Sequence, residues 1–179
     1  YIILKNKENT PWMFTRGILI YRKENMMKIG IISDTHGLLR DEVKSNLQDC
    51  DLILHAGDVG NLELINELNS ITKCEFIKGN CDKKIEFENI EDNKVIDING
   101  IKFYMVHDLK SIKYNLKELD IDIVVYGHSH KKNYYENDGI IYINPGSVGP
   151  KRFKLPTHMA KLEIKNNDLN NFKLDFIEI

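Results

Sequence analysis

From Met27 onward, short apolar runs alternate with segments whose apolar residues have helical spacing. Two helices are predicted, because Leu39, Val43 and Leu47 recur every four residues and Leu62–Leu68 carries a second apolar face. The apolar runs around them are typical of strands buried on both faces: Lys28–Ser33, Asp51–Ala56 and Lys73–Lys78. This βαβαβ order predicts a parallel sheet with right-handed crossovers.

The second half of the chain has the alternating pattern of antiparallel strands. Asn99-Gly100 and Asp138-Gly139 are hairpin turn signals, and each lies between two predicted strands. The predicted elements are strands at Lys94–Ile98, Ile101–Val106, Asp122–Tyr126, Asn133–Asn137, Ile140–Ile143, His158–Ile164 and Phe172–Phe176, and a helix at Ser111–Leu119. The predicted fold class is α/β, with two packed mixed β-sheets flanked by helices.

The first 26 residues have a different pattern, in which charged residues are mixed with isolated apolar ones. They lack the ordered charged, apolar and small-residue regions of a signal peptide. We predict one domain over residues 27–179 and an N-terminal extension over residues 1–26 that is not part of the native domain. The alternative is an extra strand at Gly17–Tyr21 that pairs with a sheet edge.

Composition narrows the class of protein. A chain of 179 residues fits one domain with a real core. The net charge of −2 gives no clear nucleic-acid signal, and no apolar run approaches the ~20 residues of a membrane helix. Three cysteines without Cys-x-x-Cys spacing argue against a disulfide scaffold and a structural zinc site. We therefore expect a cytoplasmic protein with no membrane association.

Metal-binding residue types follow five predicted strands at their carboxyl ends, where α/β folds place ligands. The segments are Ser33–Gly37 (SDTHG), Gly57–Gly60 (GDVG), Gly79–Asp82 (GNCD), His107-Asp108 and Gly127–His130 (GHSH). Together they offer two carboxylates, one amide and four imidazoles, which suit Zn, Mn, Fe or Ni. Each piece alone is ordinary turn or capping chemistry, so the metal site is predicted from their joint order.

With these motifs the sequence resembles the calcineurin-like metallophosphoesterase superfamily, and within it the small bacterial and archaeal phosphodiesterases of the YfcE type. The resemblance covers Met27–Ile179 and includes NPGS at Asn144–Ser147. It implies two divalent ions, manganese first, with nickel, iron or zinc as alternatives. The implied ligands are Asp34, His36 and His130 for one ion, Asn80, His107 and His128 for the other, and Asp58 for both.

The resemblance also implies an activity, hydrolysis of a phosphoester by a hydroxide that two ions share and that attacks phosphorus in line. Asp58, Asn80 and His107 are the implied catalytic residues. Cys81 stands where the broad superfamily has a histidine that helps to protonate the leaving group. A neutral thiol is a poor general acid, which favours a phosphodiesterase over a monoesterase. Inert packing is the alternative for Cys81.

Three residues are candidates for contact with a small phosphodiester substrate: Cys81, Asp82 and Arg152. Turn or cap chemistry is the alternative for Asp82, and a solvated charge is the alternative for Arg152. His55 is either a satisfied buried histidine or a neighbour that supports the ligands. Asn144 is expected to have a structural role.

Two other functions compete with the phosphodiesterase. One is a phosphomonoesterase or nucleotide hydrolase on the same site. The other is a binding scaffold like the retromer subunit of this fold, which should show broken ligands, whereas all seven are intact here. A homodimer or higher homo-oligomer is expected, because small relatives often self-associate.

Overall fold

The structure is a computed structural model that describes residues 3–5, 11–15, 18–23, 26–152 and 155–179. Its strands are β1 (Ile3–Lys5), β2 (Pro11–Thr15), β3 (Ile18–Tyr21), β4 (Met26–Ile32), β5 (Leu52–His55), β6 (Cys74–Phe76), β7 (Asn93–Ile98), β8 (Ile101–Val106), β9 (Ile123–Val125), β10 (Asn133–Asn137), β11 (Ile140–Asn144), β12 (His158–Lys165) and β13 (Phe172–Glu178). Its helices are α1 (Asp41–Leu47) and α2 (Leu62–Ile71), with 3₁₀ turns at Ile85–Phe87 and Leu109–Ser111. No helix in these ranges is long and apolar enough to cross a membrane.

The strands form two mixed sheets. The larger has the order β1-β2-β3-β7-β8-β9-β11-β10, and the smaller has the order β13-β12-β4-β5-β6. In the smaller sheet β4, β5 and β6 are parallel, as predicted, while β12 runs antiparallel to β4 and β13. The predicted α/β class with two packed mixed sheets is confirmed.

The main core lies between the two sheets. Ile31 and Leu54 of the smaller sheet belong to the same buried cluster as Phe103, Met105 and Val125 of the larger one. On its other face the smaller sheet packs against the two helices, through buried residues of α1 and α2 such as Leu47 and Leu68. Burial on both faces explains why β4 and β5 read as continuous apolar runs.

Both predicted helices are present. The side chain of Asn61 caps α2 by accepting a hydrogen bond from the Leu64 amide at 2.9 Å. Leu64, Ile65 and Leu68 are buried, as their spacing predicts. The helices cover one face of the smaller sheet and leave the carboxyl ends of its parallel strands open.

The predicted helix at Ser111–Leu119 is wrong. After the 3₁₀ turn the chain continues through turns to β9. Local hydrogen bonds compete with a helix here, because the Asp108 side chain accepts from the Lys110 amide at 3.0 Å and the Asn115 side chain accepts from the Lys117 amide at 3.2 Å. Leu116 is buried against the outer face of the larger sheet instead.

Both predicted hairpins are confirmed. Asn99 and Gly100 have φ of 55° and 90°, and Asp138 and Gly139 have φ of 56° and 78°. Two successive positive φ values define the type I′ turn that matches the twist of paired strands. These turns fix the register of β7 with β8 and of β10 with β11.

Part of the N-terminal extension forms a strand. β3 pairs in parallel with β7, and Tyr21 is buried with its hydroxyl 2.5 Å from Glu75 Oε1. The structure thus has the alternative strand over Ile18–Tyr21, which lies between β2 and β7, while Gly17 lies outside the described residues. The domain boundary between residues 26 and 27 stays a prediction.

Candidate metal centre

Five loops meet beyond the carboxyl ends of β4, β5, β6, β8 and β9. Backbone hydrogen bonds tie them together, since the His36 amide donates to Asp58 O at 2.9 Å and the Gly127 amide donates to His107 O at 3.1 Å. The loops therefore hold their side chains as one unit. All seven ligands predicted from the sequence project from these loops.

The backbone is strained at most of these positions. Among the described non-glycine residues with positive φ, the ones outside this site are Asn or Asp in turns. In the site, five candidate ligands have positive φ: Asp34 (54°), His36 (47°), Asp58 (55°), His128 (67°) and His130 (57°). This conformation costs roughly 1–2 kcal/mol per residue, and such strain is typical of functional sites.

Asp34 is fully buried, and its two carboxylate oxygens have different surroundings. Oδ2 accepts hydrogen bonds from the Ser33 hydroxyl at 2.6 Å and from the His128 amide at 3.1 Å. Oδ1 has no hydrogen-bond partner, although His130 Nε2 lies 3.1 Å away. One oxygen is thus held in place, and the other points unpaired into the centre.

His107 has the same arrangement. Its Nδ1 lies 2.7 Å from Ala56 O, so Nδ1–H donates and Nε2 keeps a lone pair in the neutral ring. Nε2 is buried without a hydrogen-bond partner. Burial lowers the pKa of His107, but Asp58 and Asp34 outweigh it and raise that pKa above its ordinary value. The electrostatic field at Nε2 favours positive charge.

Asp58 lies between the two groups of candidate ligands. Its Oδ2 is 3.8 Å from His36 Nε2 and 3.4 Å from His107 Nε2, and its Oδ1 accepts from the Cys81 amide at 2.8 Å. Burial alone raises the pKa of Asp58, but the neighbouring His107 and the Cys81 amide hold it well below its usual range. An ionised carboxylate here can contact cations on both sides.

The remaining ligands complete two groups. His36 Nε2 and His130 Nε2 are 3.4 Å apart, beside Asp34. On the other side, His128 Nδ1 lies 3.0 Å from Asn80 Oδ1, and the rings of His107 and His128 are 5.3 Å apart. The structure therefore brings the side chains of the seven predicted ligands together at this edge, with Asp34 close to both groups.

These residues fit divalent metal ions. In the described part of the chain, Asp34 Oδ1 and His107 Nε2 are the buried side-chain polar atoms without a hydrogen-bond partner. Unpaired buried polar atoms are costly, and these two face each other at 3.9 Å. The sets Asp34–His36–His130 and Asp34–Asp58–His107 each have ligand atoms within 4.8 Å of one another. Cations between these atoms would satisfy them.

Two buried residues support the ligand loops. The Asp82 carboxylate accepts from the amides of Val59, Gly60 and Gly79 at 2.8–2.9 Å. With its oxygens used by the backbone and only 5% of its surface exposed, Asp82 positions the Asp58 loop against the Asn80 loop. This geometry favours a positioning role over the predicted substrate contact.

His55 is the second of them, and it is a satisfied buried histidine. Its Nδ1 accepts from the Gly57 amide at 3.2 Å, so Nε2 carries the proton toward Thr35 Oγ1 at 2.8 Å. Burial lowers its pKa to about 4. A neutral His55 thus links the Gly57 turn to the loop that carries Asp34 and His36.

The other two substrate candidates lie at the rim of the centre. Arg152 is exposed, and its Nη2 lies 3.1 Å from His36 Nε2. Cys81 is exposed, and its thiol groups with His36 and Asp58. Burial, and then the Asp58 carboxylate, raise the pKa of the Cys81 thiol. The thiol is therefore neutral at pH 7 and unsuited to the role of an imidazolium acid.

Sequence reasoning missed the hydroxyl groups that orient Asp34. Ser33 donates to its carboxylate, and Ser147 donates to its backbone carbonyl at 3.0 Å. Ser33 is adjacent to the candidate ligand Asp34 in sequence, which was an available signal, whereas Ser147 is distant in sequence and meets Asp34 only in the fold. Asn144 has the expected structural role, because its amide donates to Gly127 O at 2.7 Å.

Carboxylates, imidazoles and an amide converge on five loops at one strained edge of the sheets. Such a site is typical of a metal-dependent phosphoesterase. The profile of the calcineurin-like phosphoesterase superfamily domain matches residues 27–167, and the chain belongs to that superfamily. The resemblance inferred from the motifs is confirmed, and with it a metal-dependent phosphoester hydrolase.

Particular relatives agree with this family. The chain is 32% identical over 149 residues to a phosphodiesterase of Methanocaldococcus jannaschii, covering 73% of this chain and 90% of that protein. A crystal structure of a predicted phosphoesterase from Streptococcus pneumoniae matches with a TM-score of 0.68 and 26% identity, covering 87% of this chain and 91% of that one.

A third relative concerns the scaffold alternative. Vps29 of Entamoeba histolytica, solved in complex with zinc, matches with a TM-score of 0.65 and 21% identity, covering 85% of this chain and 99% of that one. At this identity the likeness shows the fold alone. It therefore supports the scaffold alternative only weakly.

Proposed function

We propose that the protein is a phosphodiesterase that uses two divalent cations, manganese first, to hydrolyse a small phosphodiester. The observation that carries the proposal is the pair of buried unpaired atoms, Asp34 Oδ1 and His107 Nε2, with Asp58 beside both. The phosphodiesterase named among the relatives supports the same choice. Nickel, iron and zinc remain alternatives, since the oxygen and imidazole donor set suits them as well.

Each side chain has a role that follows from its contacts. Asp34, His36 and His130 would hold one cation, and Asn80, His107 and His128 the other, with Asp58 shared. The cations would supply Lewis acidity and a hydroxide near neutral pH. Ser33 and the His128 amide fix the Asp34 carboxylate, and Ala56 O fixes the His107 ring, so the ligand atoms are oriented before any cation binds.

Two rim residues act on the substrate in this proposal. Arg152 has a guanidinium beside His36, where it can donate to a phosphoryl oxygen. Cys81 lies beside Asp58 with a raised pKa and offers no efficient proton to a leaving alkoxide. Leaving groups that depart as stable anions need no such proton. This favours esters with acidic leaving groups, such as aryl esters, over alkyl esters.

The alternatives predict different behaviour. A monoesterase or nucleotide hydrolase on the same seven residues would cleave p-nitrophenyl phosphate faster than bis-p-nitrophenyl phosphate. A scaffold would cleave neither ester. In a scaffold the metal-binding residues could also be replaced without loss of function, whereas here the candidate ligands are held in strained and oriented positions. Strain of this kind is expected where chemistry requires it.

The test measures hydrolysis of both nitrophenyl esters by the metal-free protein after addition of Mn²⁺, Ni²⁺, Fe²⁺ or Zn²⁺. We expect cleavage of the diester to exceed that of the monoester and to disappear in Asp58→Ala. Asp168→Ala, which changes a carboxylate of the β12–β13 turn far from the centre in sequence, is the matched control. Full diester cleavage by folded Asp58→Ala would refute the proposal.

A further inference from the structure

A cavity lies directly beside the metal centre. Its volume is about 380 Å³, and Asn80, His107 and His128 form one of its walls. Pockets that bind small ligands have volumes of about 300–1,000 Å³, so this one suits a single small group. Because three candidate metal ligands line it, a group that occupies the cavity would be attached to the phosphorus under attack.

The irregular segment after β8 also contributes to the lining. Ser111, Lys113 and Tyr114 line the cavity from this segment. Tyr114 is 59% exposed, more than any other aromatic residue whose burial is described. An exposed aromatic residue at the edge of a cleft offers a surface on which a planar group can stack.

The charges in the cavity nearly balance. Lys78 pairs with Asp92 at 3.6 Å, and Asp108 accepts from the Lys110 amide at 3.0 Å. Lys113 has no ion pair with any residue in the described ranges. The cation that Asn80, His107 and His128 would hold faces the phosphoryl group under attack. The other charged side chains of the cavity, two lysines and two aspartates, leave no surplus of positive charge for a second phosphate. The cavity therefore suits an uncharged group with hydrogen-bond acceptors.

We propose that this cavity binds a nucleoside, or an equally flat and uncharged polar group, as one arm of the phosphodiester. Tyr114 stacks on the planar ring, and Lys113 donates a hydrogen bond to a carbonyl on that ring. The inference rests on the proposed phosphodiesterase function and names its substrate class. Tyr114 and Lys113 are thus specificity residues that act outside the metal ligands.

The experiment compares two diesters with the same p-nitrophenyl leaving group, thymidine 5′-(p-nitrophenyl) phosphate and methyl p-nitrophenyl phosphate. The protein with bound Mn²⁺ is expected to show a KM about tenfold lower for the nucleoside ester, because base stacking on an aromatic side chain is commonly of that size. Tyr114→Ala should remove this preference, and Lys113→Gln should reduce it.

Matched controls separate the cavity from general surface effects. Tyr134→Ala removes another exposed tyrosine, on β10, and Lys117→Gln removes another exposed lysine, paired with Asp138. Both should keep the preference for the nucleoside ester. Equal KM values for the two esters in the unaltered protein, or a preference that survives in Tyr114→Ala, would overturn the cavity inference alone. Failure to cleave either ester would refute the proposed function first and the inference with it.

Discussion

The two halves of the metal centre differ in how far they are enclosed. In the half built by Asp34, His36 and His130, the Asp34 side chain is fully buried and that of His130 is 6% exposed. In the other half, Asn80 is exposed and the His128 side chain is 49% exposed, although His107 is buried. Hydrogen bonds orient Asp34 in the enclosed half and His107 in the open half, but only the open half lines the cavity. For the two proposed cations, the difference predicts tighter binding in the enclosed half and easier exchange in the open half.

The largest expected effect separates these halves by metal content. Asp34→Ala should lose both cations, although Asp34 is assigned to one of them, because its buried Oδ1 lies 3.1 Å from His130 Nε2 in one group and 3.9 Å from His107 Nε2 in the other. His128→Ala should keep one cation per chain and lose the other. Each loss removes several kcal/mol of transition-state stabilisation, so diester cleavage should fall by at least about 100-fold in both variants.

Mass spectrometry of the metal in desalted protein provides the measurement for these variants. Equal metal content in Asp34→Ala and His128→Ala would contradict the proposed difference in cation binding between the two halves. The turn variant Asp168→Ala should retain the full content of the unaltered protein.

Asp82→Asn tests the hydrogen bonds by which Asp82 connects the Asp58 loop to the Asn80 loop. The amide keeps the size of the side chain but provides one acceptor oxygen in place of two, so one or more of the three backbone donors loses its partner. We expect about 1–3 kcal/mol of destabilisation and metal affinity about 10–100-fold weaker.

Urea denaturation and Mn²⁺ titration measure the two effects of Asp82→Asn. Asp92→Asn, at an exposed carboxylate nearby, is the control. A change in nitrophenyl ester KM without any change in metal affinity would return Asp82 to the role of a substrate contact.

His55 makes the stability of the enclosed half depend on pH. Its folded-state pKa of about 4 lies below the ordinary value of 6.5, so between these values the unfolded chain binds more protons. Its contribution to stability is therefore complete above pH 6.5 and declines as the pH falls toward 4. The decline is on the order of 3 kcal/mol.

Denaturation of the metal-free protein at pH 8, 6 and 4 measures this contribution, with His55→Gln as the comparison. The glutamine variant should be less stable at pH 8 but lose less stability on acidification. Parallel pH profiles for the two proteins would contradict a neutral buried His55.

The smallest expected effect concerns Cys81 in the open half. Cys81→His places an imidazole where a leaving alkoxide needs a proton. General acids contribute about 10²–10⁴-fold when fully aligned, and an unoptimised one should raise cleavage of an alkyl monoester, whose alkoxide needs a proton, by about tenfold. Cys81→Ser is the matched control, and equal monoester rates in the two variants would show that Cys81 has no bearing on the choice of ester.

Local chemistry explains which features the sequence predicted. The type I′ turns at Asn99-Gly100 and Asp138-Gly139 and the cap at Asn61 depend on neighbouring residues, so their elements were found. The seven candidate ligands could be predicted because their motifs follow successive strands. The segment after β8 was mistaken for a helix, because the hydrogen bonds made by Asp108 and Asn115 outweigh its apolar spacing.

Other features depend on contacts between distant parts of the chain. Asp34 Oδ1 and His107 Nε2 have no hydrogen-bond partner, while the other polar atom of each side chain is bound by the His128 amide or by Ala56 O. This pairing depends on the folded structure and cannot be read from the sequence. The buried state of Asp82 depends on two loops that meet in space. The cavity at Tyr114 depends on the irregular segment that the pattern assigned to a helix.

The most direct test of the central claim is a titration of the metal-free protein with Mn²⁺, followed by equilibrium dialysis and metal quantification. Two ions per chain should bind, the first more tightly than the second, and diester cleavage should appear as the second one binds. Binding no greater than that of Asp34→Ala under the same conditions would contradict the account.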